Sequence, residues 1–502
     1  MRTKNAVYNL IASLIRQIIM ILFNLVIPLL IIRTYGSNAN GAVSSITKFL
    51  SYIAIAEGGL GGVVKAAFIK AIAKDDKKKI NEIFNAITKF FRIIALVYVA
   101  YVVILCLFYP QIISGQMEVQ SVVLLILAIA ITNLAKYVFS LSSELLITAN
   151  QKSYLIYIVR ISILIVSGIV MAILINNEVS LILVEFSYAI TNALGALAIY
   201  LIQKRSFSVT KVNSSIKCID QRWSGLGIQL AAFLHDNIDI ILITIFCVLS
   251  EVSVYSIYLL VALGLRSILM SFLSATTSGF GDLLARNEIE LAKKNFKRFN
   301  TLFIMISSIV FATAIVLMIP FVRVYTKGIV DADYIRPVFA MIYLGAEMIY
   351  MYRVSYTQLP FANGRYKEVS PGAYIETGMN LVISLSLIST LGIIGVGIGT
   401  IVSMTFRLVY QVWYLKKHLI KLSYQYSYRN LLVNFVTVVA IALVNYYFIN
   451  IQASSYGWWV LWALVTIVAV GLIFTIANLI FNKHDFTESL KYMRKKILKK
   501  SK

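Results

Sequence analysis

Long apolar runs, separated by short polar segments, follow one another along nearly the whole chain. A helix that crosses a membrane needs about 20 largely apolar residues. Fourteen segments meet this requirement, at 10–32, 43–68, 92–109, 120–142, 153–175, 180–202, 225–248, 254–274, 300–321, 337–358, 373–391, 393–414, 430–450 and 457–481. Only helices satisfy the backbone of such long runs within one segment, since strands would need a closed barrel. The pattern therefore predicts an all-α, polytopic membrane protein with about fourteen spans.

The composition agrees with this prediction. The 502 residues are 60% hydrophobic and only 14% charged, whereas a soluble domain is about half apolar and about one quarter charged. No polar stretch is long enough to form a separate soluble domain. The first apolar run, from Leu10, is too long for a cleavable signal peptide and lacks a small-residue cleavage site.

Basic residues predict the orientation of the spans. The net charge is +24, and the Lys and Arg residues concentrate in alternate loops, such as those at 74–79, 204–222, 286–298 and 416–429. The intervening loops hold only Arg33, Arg323, Lys327 and Arg336. Because basic loops remain in the cytoplasm, we expect both termini to be cytoplasmic in a plasma-membrane protein.

An internal repeat at an offset of 213 residues predicts how the spans are grouped. Ala149-Asn150 at the end of the fourth span corresponds to Ala362-Asn363, and Asn24 corresponds to Asn237. Two parallel copies of six spans would surround a central cavity, with two extra spans at the C-terminus. The predicted bounds are 1–205 for the first six-helix lobe, 206–222 for a cytoplasmic linker, 223–420 for the second lobe, 421–482 for the two extra helices and 483–502 for a basic amphipathic cytoplasmic tail.

Six basic residues lie deep within the predicted spans. They are Arg16, Lys48, Arg160, Arg266, Arg353 and Arg407. A charged side chain at the membrane centre costs about 2.5–3.5 kcal/mol, so such residues usually face a partner or a water-filled cavity. A cavity lined by guanidinium groups would suit an anionic substrate, since they bind phosphate bidentately. The alternative is that most of the six form internal ion pairs.

Acidic residues within the spans are candidates for coupling or gating. Glu57 lies in the second span before several glycines, and Glu376 lies in the eleventh. In the seventh span, His235 and Asp239 share one helix face beside Asp236. A carboxylate beside an imidazole can carry a proton or help to hold a cation. The structural alternative is that Glu57 neutralises a nearby Lys or Arg, and that the seventh-span group is a polar cluster paired with an Arg.

Other kinds of chemistry have no support in the sequence. There is no phosphate-binding P-loop, and no large extracytoplasmic loop carries catalytic residues, so no enzyme activity is expected. The three Cys and three His residues have no metal-ligand spacing, and neither a metal nor another cofactor is expected. In the tail, Asp485-Phe-Thr-Glu488 is typical of a capping box that opens a helix. That helix is expected to lie on anionic membrane lipid.

Several segments together resemble a known family. They are RTKNAVYNLIASLIRQIIMILFNLVIPLLIIRTYG at the N-terminus, AIAEGGLGGVVKAAF in the second span, HDNIDIILITIFCVLSEVSVYSIYLL in the second half and LGIIGVGIGTIVS near the twelfth span. With fourteen predicted spans, the chain resembles Wzx-type polysaccharide flippases of the multidrug/oligosaccharidyl-lipid/polysaccharide (MOP) exporter superfamily. The resemblance extends over essentially the full length.

The resemblance implies a function. Such proteins move undecaprenyl-diphosphate-linked oligosaccharide across the bacterial plasma membrane by alternating access, for capsule, O-antigen or exopolysaccharide assembly. Arg16 in the first span favours this branch over drug exporters, which often carry an acidic residue there. Membrane lipids, polysaccharide polymerase and the chain-length machinery are the implied partners, and nucleic acid is not. A cation-coupled small-molecule exporter of the same fold, using Na⁺ or H⁺ at Asp236 and Asp239, remains the alternative.

Overall fold

The computed structural model describes residues 2–57, 60–212, 214, 226–449 and 451–500, and every regular element in these ranges is helical. This confirms the all-α prediction. The helices are α1 (Arg2–Tyr35), α2 (Ser37–Ser51), α3 (Leu60–Ala73), α4 (Lys77–Ile112), α5 (Val119–Ala135), α6 (Leu141–Ala149), α7 (Ser153–Asn176), α8 (Leu181–Ser206), α9 (Leu226–Phe246), α10 (Leu249–Ala285), α11 (Ile289–Tyr325), α12 (Pro337–Ala362), α13 (Tyr366–Leu391), α14 (Ile393–Tyr414), α15 (Tyr424–Phe448), α16 (Tyr456–Phe481) and α17 (Lys483–Lys500).

The number of membrane spans can be compared with the predicted fourteen. Eleven of the described helices are long and apolar enough to cross a membrane, or up to twelve if the bent pair α2–α3 counts as one span. The other two predicted spans are also helical, as α9 and α12. The chain is therefore a multi-span helical membrane protein.

The second predicted span is broken rather than continuous. A 3₁₀ segment, Tyr52–Glu57, follows α2, and α3 then begins at Leu60. The two parts are bent by 46°. The span predicted over 43–68 is therefore present as two helical parts, because the backbone leaves the α-helical hydrogen-bond pattern at Tyr52. Glu57 is the last residue of the 3₁₀ segment, so a carboxylate lies at the bend.

The chain divides into two compact units, Met1–Ser256 and Ile257–Lys502. In the first unit, α1 packs on α7, α5 and α7 both pack on α8, and α3 lies against α4 and α6. Its apolar core includes the fully buried side chains of Phe68, Tyr98 and Tyr109. The finer domain bounds at 205, 222 and 420 remain predictions.

Helix α11 is the centre of the second unit. It contacts α12, α15, α16 and α17, and 61% of its most apolar window is buried within the protein. Beside it, α13 and α14 form a close hairpin. Gly392 between them has φ of 55°, which glycine adopts without strain. A Cβ on Gly395 or Gly399 would overlap Leu387 or Ser384 respectively, so these glycines allow the two helices to approach closely.

Four asparagines join α15 to α16, and we call them the amide ladder. Asn434 Nδ2 lies 3.4 Å from Asn430 Oδ1, Asn478 Nδ2 donates to Asn434 Oδ1 at 3.2 Å, and Asn482 Nδ2 donates to Asn478 Oδ1 at 3.0 Å. All four residues are buried. Side-chain amides that hydrogen-bond across helices hold membrane helices together where no hydrophobic effect does so.

The tail differs from its prediction in two ways. Helix α17 begins at Lys483, so Asp485 lies in its first turn and does not open it. Asp485 instead pairs with Arg429, and Glu488 pairs with Arg298 on α11. Phe486 is 1% exposed. The first half of the tail helix therefore packs on the protein, and its carboxylates serve as ion-pair partners rather than as a capping box.

Candidate functional site

A cleft of about 240 Å³, lined by both apolar and polar side chains, opens within the first unit. Helices α1, α5, α6, α7 and α8 supply its walls, together with the segment Lys136–Ser140. Its charged lining residues are Arg16, Lys136, Arg160 and Glu144, and its polar ones are Asn24, Thr132, Ser140, Tyr188 and Asn192. Two of the six predicted cations, Arg16 and Arg160, thus lie at one site.

Helical periodicity explains why these side chains converge. On α1, Arg16 and Asn24 are eight residues apart with Phe23 between them, and on α8 Tyr188 and Asn192 are four apart. Residues three, four, seven or eight apart lie on one face of a helix. The ring of Phe23 stacks on that of Tyr188, with centroids 5.7 Å apart. This contact fixes the α1 face against the α8 face.

A π-helical turn supplies the third wall of the cleft. It covers Lys136–Ser140 between α5 and α6 and is closed by a hydrogen bond from the Leu141 N–H to the Lys136 carbonyl. Such turns inside α-helices occur frequently at functional sites. Lys136 and Ser140, at its two ends, both line the cleft.

Charge within the cleft is only partly neutralised. Arg160 Nη2 donates to Glu144 Oε1 at 2.7 Å. The Arg16 guanidinium lies 5.5 Å from the centre of the Tyr157 ring. Its Nε is buried and has no hydrogen-bond partner among the described residues. Three cations and one carboxylate line the cleft, which leaves a site suited to an anion.

Lys136 and Glu144 line the cleft but are not among the site residues predicted from the sequence. The signal that could have identified them is a stripe of polar residues spaced by four, Thr132, Lys136, Ser140 and Glu144, within an apolar run. This spacing places all four near one helix face. All four line the cleft.

Lys48 and Glu57 lie elsewhere in the first unit. Lys48 Nζ donates to Asn237 Oδ1 at 3.0 Å. Glu57 Oε1 accepts from the Tyr137 hydroxyl at 2.6 Å and lies 3.9 Å from Lys136 Nζ. Neither Lys48 nor Glu57 is among the described residues that line the cleft. Glu57 has the basic neighbour that the structural alternative predicted.

The seventh-span group lies on α9. Asp239 is buried and accepts from the Tyr255 hydroxyl at 2.8 Å, whereas Asp236 is exposed and His235 is half-buried. Within the described ranges, no group of three or more His, Cys, Asp or Glu residues could hold a metal ion. The possible role of these residues in coupling remains a prediction.

The other three predicted cations lie in the second unit. The Tyr350 ring has Arg266 at 3.8 Å and Arg353 at 4.4 Å from its centre. Arg266 also donates to the Tyr350 hydroxyl at 2.7 Å and lies 3.9 Å from Glu347. Arg407 on α14 forms an ion pair of 2.6 Å with Glu376 on α13, and both side chains are 4% exposed.

Both interpretations of the buried cations have support. Arg160, Arg266 and Arg407 each have a carboxylate partner. In contrast, Arg16 and Arg353 form no ion pair with a described carboxylate. The Nε atoms of Arg16, Arg353 and Arg407 are all buried without a hydrogen-bond partner in the described ranges. Arg407 therefore forms an internal pair, whereas the role of Arg16 in binding a substrate remains a prediction.

Solved structures of membrane transporters share this fold. The structure titled "Lipid II flippase MurJ, inward closed conformation" superposes with a TM-score of 0.67 at 13% identity, over 95% of this chain and 99% of that chain. An inward-facing multidrug resistance MATE family transporter of the MOP superfamily gives 0.56 at 14% identity, over 84% and 94%. A MOP superfamily transporter from Pyrococcus furiosus gives 0.53 at 15% identity, over 88% and 96%.

No protein-family model and no curated protein sequence matches this chain. The similarity to the solved structures therefore establishes the fold, which is that of MOP superfamily flippases and transporters. These structures are of transporters and flippases rather than enzymes.

Proposed function

We propose that this protein is a flippase that moves undecaprenyl-diphosphate-linked oligosaccharide across the bacterial plasma membrane by alternating access, for capsule, O-antigen or exopolysaccharide assembly. The observation that carries the proposal is the cationic cleft of the first unit. Among the described residues that line it, Arg16, Lys136 and Arg160 are the cations and Glu144 is the carboxylate. The fold it shares with a structure titled as a lipid II flippase is consistent with a lipid-linked substrate.

The chemistry of the cleft fits a diphosphate head group. Guanidinium groups bind phosphate oxygens through paired N–H donors and stay charged at any depth in the membrane. The amides of Asn24 and Asn192 and the hydroxyl of Thr132 line the same space, and they can bind further oxygens. A polyprenyl tail gains little by entering a polar site, since lipid already solvates it. The tail is therefore expected to remain in the bilayer while the head group enters.

The same charges disfavour the alternative, a cation-coupled exporter of small molecules. An organic cation in this cleft would meet Arg16, Lys136 and Arg160, with Glu144 as the one carboxylate among the described lining residues. Coupling to Na⁺ or H⁺ would act on the flippase itself. We assign it to His235, Asp236 and Asp239 on α9, with Glu57 and Glu376 as gating residues. Replacing either aspartate with Asn should then alter the dependence of transport on pH or sodium.

Transport by the purified full-length protein in liposomes tests the proposal. The substrate is a fluorescent short-chain lipid diphosphate carrying an oligosaccharide, and the readout is the fraction that a membrane-impermeant reagent quenches. Arg16→Met and Arg160→Met should each slow flipping by about tenfold or more, because each removes a charge-assisted contact with phosphate. Arg33→Met is the matched control, since Arg33 is exposed at the end of α1.

A parallel assay measures uptake of ethidium, an organic cation. Ethidium transport without flipping of the lipid would contradict the proposal in favour of the exporter. Flipping at the same rate in both arginine variants would also contradict it, since the cleft would then play no part in transport.

A further inference from the structure

Lys136 belongs to two sites at once. It lines the cationic cleft together with Arg16 and Arg160, and its Nζ also lies 3.9 Å from Glu57 Oε1, outside the cleft. The π-helical turn that begins at Lys136 places its backbone between α5 and α6. No other cation that lines the cleft has a described ion pair outside it.

Glu57 connects this lysine to the break in the second span. It is the last residue of the 3₁₀ segment Tyr52–Glu57, where the chain bends by 46° toward α3. Its Oε1 accepts from the Tyr137 hydroxyl at 2.6 Å. Tyr137 is itself 4% exposed, so that contact is fixed, whereas the longer contact with Lys136 is the one that can be exchanged.

We propose that Glu57 and the diphosphate compete for Lys136. Binding of the diphosphate in the cleft then changes the ion pairing of the broken second span. This inference rests on the proposed function. A diphosphate entering the cleft attracts the ammonium group, whose flexible four-carbon stem lets it move. Glu57 is then left with Tyr137 as its partner, and the charge that stabilised the end of the 3₁₀ segment is lost.

Competition of this kind is reciprocal. If the diphosphate weakens the contact between Lys136 and Glu57, then that contact must weaken the binding of the diphosphate by the same factor. Removing the charge of Glu57 should therefore tighten binding. The effect should disappear when Lys136 is absent, because no cation then remains to be shared.

A double-mutant cycle tests this with inorganic pyrophosphate as the probe, bound to the purified full-length protein in nanodiscs and measured by calorimetry. Lys136→Met should weaken binding by roughly tenfold. Glu57→Gln should tighten it by about three- to tenfold, and should have no effect in the Lys136→Met background. Glutamine still accepts a hydrogen bond from Tyr137, which preserves the local fold. Lys89→Met, at an exposed lysine on α4, is the matched control.

Amide hydrogen exchange provides the second measurement. Pyrophosphate should increase exchange in Tyr52–Glu57 and in α3 of the wild type, but not in Lys136→Met. In Glu57→Gln, exchange there should already be raised without the probe.

Two contrary outcomes can be distinguished. In the first, pyrophosphate binds and Arg160→Met weakens its binding, but Glu57→Gln either leaves the affinity unchanged or changes it equally with and without Lys136→Met. That result rules out the competition for Lys136 and leaves the proposed function intact. If Arg16→Met and Arg160→Met leave pyrophosphate binding unchanged, both the inference and the anion site fail.

Discussion

Arg407 Nη1 and Glu376 Oε2 lie 2.6 Å apart where both side chains are 4% exposed. The pair joins α14 to α13, whose glycines already hold the two helices close. Removing one partner of a buried pair costs far more than removing both, because the remaining charge is left without compensation. The pair therefore helps to fix the position of α14 relative to α13.

Arg407→Met should destabilise the protein by about 3–5 kcal/mol, because it breaks a buried ion pair by removing one of its two charges. The double variant Arg407→Met/Glu376→Met should recover most of this loss. Thermal unfolding of the detergent-solubilised protein would measure both. A double variant no more stable than the single one would show that the arginine matters for reasons other than Glu376.

The aromatic ring of Tyr350 is predicted to contribute more to the stability of the protein than its hydroxyl group does. Tyr350→Phe keeps the ring that Arg266 and Arg353 contact, whereas Tyr350→Leu removes it. Each cation–π contact contributes about 0.5–2 kcal/mol. We expect Tyr350→Leu to lower the melting temperature more than Tyr350→Phe does. Tyr374→Leu, at an exposed tyrosine on α13, is the control. If both Tyr350 variants lowered the melting temperature equally, the effect would be due to loss of the hydroxyl group.

The tail helix should dock in a pH-dependent way through Glu488. Burial alone would raise the pKa of Glu488, but the hydrogen bond and charge of Arg298, with the charge of Lys294, hold this pKa below its usual 4.5. A lowered pKa means that the ion pair stabilises the folded state above about pH 4.5, and that this stabilisation is lost as the pH falls further. Glu488 is 37% exposed, so solvent screening limits the contribution to about 1 kcal/mol or less.

The comparison of Glu488→Gln with the wild type checks this prediction. The difference in melting temperature should be present at pH 7 to 8 and should shrink below about pH 4.5. Glu290→Gln is the control, because Glu290 is 82% exposed and pairs only with Lys293 one turn away among the described residues. If the difference in melting temperature between the variant and the wild type grew as the pH fell, this would contradict a lowered pKa for Glu488.

The amide ladder should contribute measurably to the packing of α15 on α16. Asn434→Leu removes the middle amide, and interhelical hydrogen bonds in membranes contribute about 0.6 kcal/mol on average and about 1.7 at most. We expect a loss in this range in detergent unfolding, with little change for Asn445→Leu nearer the other end of α15. A gain in stability would show that leucine packing outweighs the amide bonds.

Orientation is the remaining prediction, and it rests on the basic loops alone. Reporter fusions after Gln116 and after Lys211 should report opposite sides of the membrane, with the second in the cytoplasm. A phosphatase and a fluorescent protein, each active on one side only, make the two readouts complementary. Signals from the same side would overturn the predicted topology.

Much of the architecture was readable from the sequence, because apolar runs of about 20 residues dictate helices in lipid. The sequence shows which basic residues lie within the spans, but it does not show which carboxylates they pair with. Arg160 and Glu144 lie sixteen residues apart on two different helices, and Arg407 finds Glu376 through the packing of α13 on α14. Such pairs depend on the rotation of whole helices, which periodicity alone does not fix. Lys136 is not among the predicted site residues, although the spacing by four of Thr132, Lys136, Ser140 and Glu144 places it on a polar face of the fourth predicted span.

The amide ladder also bears on how the chain is made. Asn434 leaves the ribosome with α15, but its partner Asn478 follows only 44 residues later. Until then, Asn430 and Asn434 are polar groups that lipid cannot satisfy. We therefore expect α15 to remain at the translocon until α16 has been synthesised, so that the two helices enter the bilayer as one hairpin. A chain truncated before α16 should insert α15 poorly and be degraded, whatever the state of the preceding helices.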